Sequence, residues 1–515
     1  MSDKRGKLLT ANLVNDGEEQ IVVFPEEVTL EADAVLLEKR GDAVATSPLA
    51  MDKNLQHDRN ILPDLLEHTF RTATDFLTSL ERRSVAVHPK EQDYRPLPKE
   101  GLGAEKALSD FTTRYGEELS GSAGGRYFGF VTGGATPAAL AGDWLTSAFD
   151  QNATGYGDSV APLVELETLA MLRELFGLPN DFSGVFVTGA TMSNVTGLAL
   201  ARQWVGKERG VDVAEEGLRE PIPVLAGTAH SSVYKALAML GMGRKSVQKV
   251  ARSDGREAVD VEKLGERLEA LGGQPCVIVA SAGTVNTVDY DDIAAIAKLK
   301  ETYPFWLHVD GAFGGFAAVS PKTSHLVTGW EHADSITVDN HKWLNVPYDS
   351  GILFTRHKEL QTEVFQNAAV YLGNPSDEPN FVHLTPENSR RFRALPAWMT
   401  LQAYGREGYR ELVERCCALA EQMGEWLETS QDFKLLAPVQ MNGVCFTLSG
   451  ELTSEEVDAY LKRLSDAGEV FLTPTNLFGT PSIRISISNW QTEERDIERA
   501  WSAMQDALEP ERIGV

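Results

Sequence analysis

The sequence predicts an α/β protein: a large domain built on a mostly parallel sheet, a smaller α+β domain after it, and a helical extension before it. Two observations carry this. Between about Tyr127 and Ala394, short β-branched runs (VFV, PIPVLAG, CVIVASAG, WLHVDGA, SITVDN, GILFTR) alternate with helical text, the pattern of parallel strands joined by helical crossovers. After Pro396 a long helical stretch, AWMTLQAYGREGYRELVERCCALAEQMGEWL, leads into the strand-like VCFTLSG and IRISIS.

In chain order, residues 1–50 read as an extension without an assigned function, in which IVVF near Ile21 is a candidate strand. Residues 51–115 read as a helical docking segment: Ile61, Leu65, Phe70, Ala73, Phe76 and Leu80 follow a helical period, and HPKEQDYRPLPKEG then reads as a linker. Residues 116–395 form the expected large domain and residues 396–515 the small one. At 515 residues the chain exceeds one ordinary core, so division is expected.

The formal charge of −27 argues against nucleic acid or an anionic membrane surface as a partner, because the phosphate-neutralising excess of Lys and Arg is missing. Cys276, Cys416, Cys417 and Cys445 show neither metal-ligand spacing nor the density of a disulfide scaffold, which suits a reducing compartment. The start, MSDKRGKLL, lacks the apolar core of a signal peptide, and Asp3 argues against a transit peptide; the expected location is cytoplasmic. No run is long and apolar enough to span a bilayer.

Chemistry gathers where predicted strands end. In SITVDNHKW a strand runs out into Lys342. A lysine there is costly unless it is paired, desolvated for a purpose or covalently bound, and a desolvated amine is a nucleophile suited to Schiff-base formation. Alone, Lys342 would be a solvated loop lysine. In WLHVDGAFGG, Asp310 ends another strand and is followed by small residues that admit a flat ligand. A carboxylate facing a pyridine nitrogen keeps it protonated, which makes the ring an electron sink; a lone Asp would otherwise be a cap or ion-pair partner. His308, two residues earlier, has no third ligand at metal spacing, so no metal site is expected.

In GVFVTGATMSNVTGLALAR a strand turns into a helix around Thr191, Met192 and Ser193, where free amides, hydroxyls and the helix dipole would meet a phosphate. No P-loop pattern is present. His230 in LAGTAHSSVYKAL follows a strand and could stack on a ring and contact a reacting carboxylate. Thr284 in VIVASAGTVNTVDYDD ends another strand, where it would sit at the ring edge or serve merely as a turn residue. The weight comes from coincidence, since Lys342, Asp310, His230, Thr284 and Ser193 all fall at the same predicted edge of one sheet.

With these residues assembled, the sequence resembles the group II pyridoxal-phosphate (PLP)-dependent amino acid decarboxylases of fold type I, the family of aromatic-amino-acid, histidine, glutamate and diaminobutyrate decarboxylases. The resemblance runs from about Asn54 to the C-terminal end through RYFGFVTGGATPAALAGDWL, AHSSV, HVDGAFGG, DNHKW, SRRFRALPAWMTLQAYGREGY and RISISNW. It implies that Lys342 carries the cofactor, Asp310 meets its pyridine nitrogen, His230 and Ala312 cover the ring faces and Thr284 its edge. It further implies that Thr191, Met192, Ser193 and His341 surround the phosphate, with Ser389 reaching it across a homodimer interface. Phe130, Val131 and Thr132 are implied for the substrate pocket, with Gln151 entering from the second subunit.

Tyr371 in AAVYLGNP, 29 residues after Lys342, matches the family's catalytic-loop tyrosine, which protonates Cα after carbon dioxide leaves; its Gly/Pro/Asp-rich flank GNPSDEPN suits a mobile lid. Two positions depart from the family pattern: Asn340 replaces a usual Pro, and Ala190 and Thr191 replace a Gly-Ala pair. The expected reaction is decarboxylation of an L-amino acid to its amine. The rivals are a decarboxylating aldehyde synthase, against which Tyr371 weighs; an aminotransferase using Arg484 for the α-carboxylate; and a catalytically silent binding or assembly subunit.

Overall fold

A computed structural model describes residues 10–16, 19–23, 35–40, 43–48, 51–90, 94–155, 159–367 and 380–508. The chain divides into two compact units, residues 1–79 with 89–119 and residues 80–88 with 120–515.

The first unit contains an antiparallel sheet of β1 (Thr10–Asp16), β2 (Glu19–Val23), β3 (Val35–Arg40) and β4 (Ala43–Pro48) in the order β2-β1-β4-β3. The sequence reading offered one strand here; Ile21 lies in β2, and three more accompany it. Helices Lys53–Asn60, Leu62–Ser79 and Ala104–Tyr115 follow. Asp52 caps the first through the amides of Asn54 and Leu55, and Asp58 accepts the Ala104 amide at the start of the third.

The second unit is organised by a seven-stranded sheet of β5 (Ser183–Val187), β6 (Val224–Ala226), β7 (Val247–Lys249), β8 (Cys276–Ser281), β9 (Phe305–Asp310), β10 (Ser335–Val338) and β11 (Gly351–Thr355). The order is β5-β11-β10-β9-β8-β6-β7. Only β11 runs antiparallel to its neighbours. Every residue of β8 and β9 is buried, as expected of parallel strands covered on both faces, so their composition is apolar without alternation.

Helix Ala190–Glu208 lies across β9, β10 and β11. Gly197 permits this approach, since a Cβ there would fall 2.8 Å from Cε1 of His308. Helix Ala394–Thr429 is interrupted at Gly405, whose φ of 56° favours glycine. It leads to an antiparallel sheet of β12 (Phe433–Leu435), β13 (Gly443–Leu448), β14 (Thr473–Leu477) and β15 (Thr480–Ser486), in the order β12-β13-β15-β14, with helices Ser454–Ala467 and Glu494–Asp506. The fold is thus the α/β arrangement of a largely parallel sheet followed by a smaller α+β region. Among the described residues no helix is long and apolar enough to cross a membrane.

Candidate active site

Because six of the seven strands are mutually parallel, the segments leaving β5, β6, β8, β9 and β10 emerge at one edge of the sheet, where ligands bind in such folds. There they enclose a cavity of about 270 Å³ whose wall includes Thr191, Met192, His230, Thr284, Asp310, Ala312, His341 and Lys342. Val131 lines it as well.

Lys342 sits on a one-turn helix, Asn340–Trp343, directly after β10. Its Nζ is 3.4 Å from Oδ2 of Asp339, and Nδ1 of His341 is 3.2 Å from Oδ1 of the same carboxylate. Burial pushes the Asp339 carboxyl upward, but Lys342 and His341 more than offset it and hold it below the ordinary carboxylate range. Asn345 fixes the turn: its amide nitrogen donates to the carbonyls of Lys342, Trp343 and Ser488, and its oxygen accepts the Trp490 amide. Lys342 is thereby tied to the segment that follows β15.

At the end of β9, Asp310 accepts the Ala312 amide on Oδ1 and the Asn194 side-chain amide on Oδ2. His230 caps helix Ser231–Met239, with Nδ1 accepting the Ser232 amide. Burial lowers its pKa, the positive charges of Lys342 and Arg484 add to that, and Asp310 opposes it. Helix Ala190–Glu208 begins at Gly189 with no side-chain cap. The Ala190 amide donates to Asp339, and the amides of Thr191 and Met192, orphan donors of the first turn, face the cavity end of the helix.

The other residues singled out in the sequence are placed differently. Ser193 is fully buried and turned to the sheet, its hydroxyl 2.8 Å from the Ile352 carbonyl and 2.9 Å from Thr337 Oγ1. A helix advances about 100° per residue, so Thr191 and Met192 can face the cavity while Ser193 cannot. Thr284 lines the cavity, with its hydroxyl donating to Glu257 at 2.6 Å and accepting the Asp289 amide.

Phe130 and Thr132 are not on the cavity wall; Phe130 is exposed. Gln151 binds the Phe149 carbonyl and Ser159, and Ser389 is exposed beside the buried Arg390–Glu165 pair, so neither joins this protomer's cavity. Arg484 is buried, with Nη1 donating to the Val285 carbonyl at 2.7 Å. Tyr371 lies outside the described residues. The reading of the sequence assigned nothing to Asp339, Asn194 or Ser232; the signal available for Asp339 was its place one turn before Lys342.

The donor set fits PLP: an amine on one wall, a carboxylate on another, and an uncapped helix start with two open amides for a phosphate. Fold and site together define a PLP-dependent enzyme of the α/β class. Residues 91–449 match the family of the pyridoxal-dependent decarboxylase conserved domain.

The chain is 31% identical over 424 residues to L-2,4-diaminobutyrate decarboxylase of Rhizobium meliloti (strain 1021), covering 80% of this chain and 83% of that protein. It is 28% identical over 415 residues to aromatic-L-amino-acid decarboxylase of Bacillus atrophaeus, covering 78% and 85%. Among solved structures, Oryza sativa TDC with PLP and tryptamine superposes with a TM-score of 0.80 at 22% identity, covering 90% of this chain and 98% of that one. Rhodiola rosea 4-hydroxyphenylacetaldehyde synthase does so with 0.77 at 22%, covering 90% and 99%. The chain belongs to the pyridoxal-dependent decarboxylase family; it is a PLP-dependent carboxy-lyase.

Proposed function

We propose that the protein decarboxylates an L-amino acid to the corresponding amine, as a homodimer. The observation that supports this most is the convergence of Lys342, Asp310, His230 and the uncapped helix start on one cavity. Lys342 would hold the cofactor's aldehyde carbon, Asp310 its ring nitrogen, the Thr191 and Met192 amides its phosphate, and His230 and Ala312 its two faces. Bound PLP supplies the electron sink for the pair released when the bond from Cα to the carboxylate breaks.

The chain's own residues set the conditions for that cleavage. Asp310, with Oδ1 and Oδ2 accepting from the Ala312 amide and the Asn194 side chain, would present its carboxyl at the ring-nitrogen position. His230 offers a polar contact to the substrate carboxylate without an ion pair, which would stabilise the leaving group in place and oppose its departure. Arg484 has Nη1 on the Val285 carbonyl and Nη2 3.4 Å from Thr473 Oγ1, which weighs against its use as an α-carboxylate clamp and so against aminotransfer. Tyr371 is proposed to deliver a proton to Cα, with Ser389 and Gln151 serving the site of the partner subunit.

The test is direct. Purified protein should show the absorbance of lysine-bound PLP and release carbon dioxide from one or more members of a panel of common amino acids plus 2,4-diaminobutyrate, with amine as product. Lys342→Ala should lose both signals. Keto acid as the principal product, or unchanged turnover in Lys342→Ala, would reject the proposal.

A further inference from the structure

Beneath the cavity floor a chain of hydrogen bonds, buried from Trp306 to Ser232, leads up to His230. Trp306 Nε1, which can only donate, gives its proton to Ser335 Oγ at 2.9 Å. The Ser335 hydroxyl stands 2.7 Å from Nδ1 of His308, whose Nε2 stands 2.8 Å from Oδ1 of Asn194. Asn194 reaches Ser232 Oγ at 3.0 Å and Asp310 Oδ2 at 3.2 Å through Nδ2. Ser232 Oγ stands 2.7 Å from Nδ1 of His230. Asn194, His308 and Ser335 are fully buried, so no solvent competes for these partners.

The proton inventory fixes the direction of each link. Asn194 Oδ1 is an acceptor and draws the single proton of a neutral His308 to Nε2, which leaves Nδ1 to take the Ser335 proton while Ser335 receives from Trp306. Burial keeps His308 neutral, its pKa pushed down to about 4, and its single ring proton therefore lies on Nε2 and goes to Asn194 Oδ1. That oxygen also receives the Thr337 hydroxyl at 2.8 Å. The Asn194 NH2 must then face Ser232 and Asp310, an orientation the acceptor-only carboxylate demands from the other end. The Ser232 backbone amide, a donor only, makes His230 Nδ1 an acceptor at 3.2 Å, and the Ser232 hydroxyl, receiving from Asn194, gives its proton to the same nitrogen.

We propose that this relay, from Trp306 through Ser335, His308, Asn194 and Ser232, holds His230 with its proton on Nε2, so that it meets cofactor and substrate as a hydrogen-bond donor and not as a base. Trp306, Ser335, His308 and Asn194 are positioning residues. Asn194 has two tasks, since the same NH2 that orients Ser232 also steadies Asp310. The catalytic consequence rests on the assignment of this cavity to PLP; the tautomer does not.

The test is ¹⁵N NMR of full-length protein labelled at its histidine rings, with and without PLP, with His230 and His308 assigned by difference from single variants. Both should show a bare Nδ1 and a protonated Nε2. Asn194→Asp replaces the donor by an acceptor of the same shape: the Ser232 hydroxyl turns to it, and a protonated Nδ1 should appear at His230. The neutral variant Ser232→Ala should give a mixture of tautomers. His308→Gln, whose amide can accept from Ser335 and donate to Asn194 in the same order, should leave His230 unchanged.

In Asn194→Asp, kcat should fall about 10²-fold, the usual cost of one lost donor at a reacting centre, with KM changed far less. A wild-type His230 protonated on Nδ1 or on both nitrogens overturns the proposal without any variant needing to fold, as does an unchanged tautomer in both Asn194→Asp and Ser232→Ala. If His230 is bare on Nδ1 but PLP binds without Lys342, the relay stands and the cofactor assignment falls. If PLP binds through Lys342 while His230 carries its proton on Nδ1, the relay alone falls.

Discussion

Asp339 and Lys342 stand one helical turn apart, with Oδ2 and Nζ separated by 3.4 Å and both side chains largely out of solvent. The two form a buried ion pair, and the carboxylate also takes the Ala190 amide at the start of helix Ala190–Glu208. One aspartate therefore couples the lysine to the helix end expected to meet the phosphate.

Replacing Asp339 by Asn leaves the ammonium of Lys342 without its counter-charge. Cofactor-free Asp339→Asn should unfold about 3 kcal/mol more easily than the wild type, the scale for breaking a buried pair from one side. In a Lys342→Ala background the same change should cost much less. Urea unfolding of the four proteins measures the coupling; equal losses in both backgrounds would show that the pair does not hold the turn.

Tyr371 carries the second prediction. A positioned general acid contributes about 10²–10⁴ in rate, so in its proposed role Tyr371→Phe should lose that much amine formation; where protonation at Cα fails, dissolved dioxygen takes the electron pair instead, giving aldehyde, ammonia and hydrogen peroxide. Parallel amine and peroxide assays decide. Wild-type amine turnover in the variant would remove Tyr371 from the mechanism.

The sheet edge was legible because parallel strands end in polar residues after apolar runs: His230, Thr284, Asp310 and Lys342 follow four separate strands and reach one cavity. What the text of the chain does not encode is the direction a side chain takes after the strand ends. Thr284 spends its proton on Glu257, 27 residues away, a pairing with no local signature. Ser193 looked equivalent to Thr191 and Met192 until the helix start at Ala190 fixed the rotation. Asn194 drew no assignment, although its polar amide within an apolar helix marked a buried demand for partners. The four-stranded sheet over residues 10–48 was missed because its strands mix charged and apolar residues.

Two buried groups titrate against each other in mild acid. His308 is pushed down to about 4 from an ordinary value of 6.5. The unfolded chain thus binds the extra proton between those values, and the His308 contribution to stability is complete above pH 6.5 and is lost as pH falls toward 4. Asp291, wholly buried, is pushed up to about 6 from 3.8, so the folded chain holds the proton and this group favours folding below pH 4 and loses that advantage as pH rises to 6. Each shift is worth on the order of 3 kcal/mol at full extent, and in the wild type they largely cancel. His308→Gln removes one of them: its stability should decrease from pH 4 to 6.5 by about 2–3 kcal/mol relative to the wild-type trend. Urea unfolding across that range checks the slope, and parallel curves for the two proteins would contradict it.

Gly133 offers the sharpest steric test of how Lys342 is placed. A Cβ at this residue would fall 1.9 Å from the Lys342 carbonyl oxygen and 2.5 Å from Nδ2 of Asn345, the amide that clamps the lysine's turn. Neither neighbour can yield alone, because Asn345 is also bound to Trp343, Ser488 and Trp490. Gly133→Ala must therefore displace the turn, and a shift near 1 Å at a reacting group costs about 10² in rate. The variant should lose that much kcat and show a weakened lysine-bound PLP band while remaining folded by circular dichroism. Gly116→Ala, where a Cβ meets open space and φ is −56°, should change neither. Retention of full activity and absorbance in Gly133→Ala would mean that the segment before helix Pro137–Phe149 does not position Lys342.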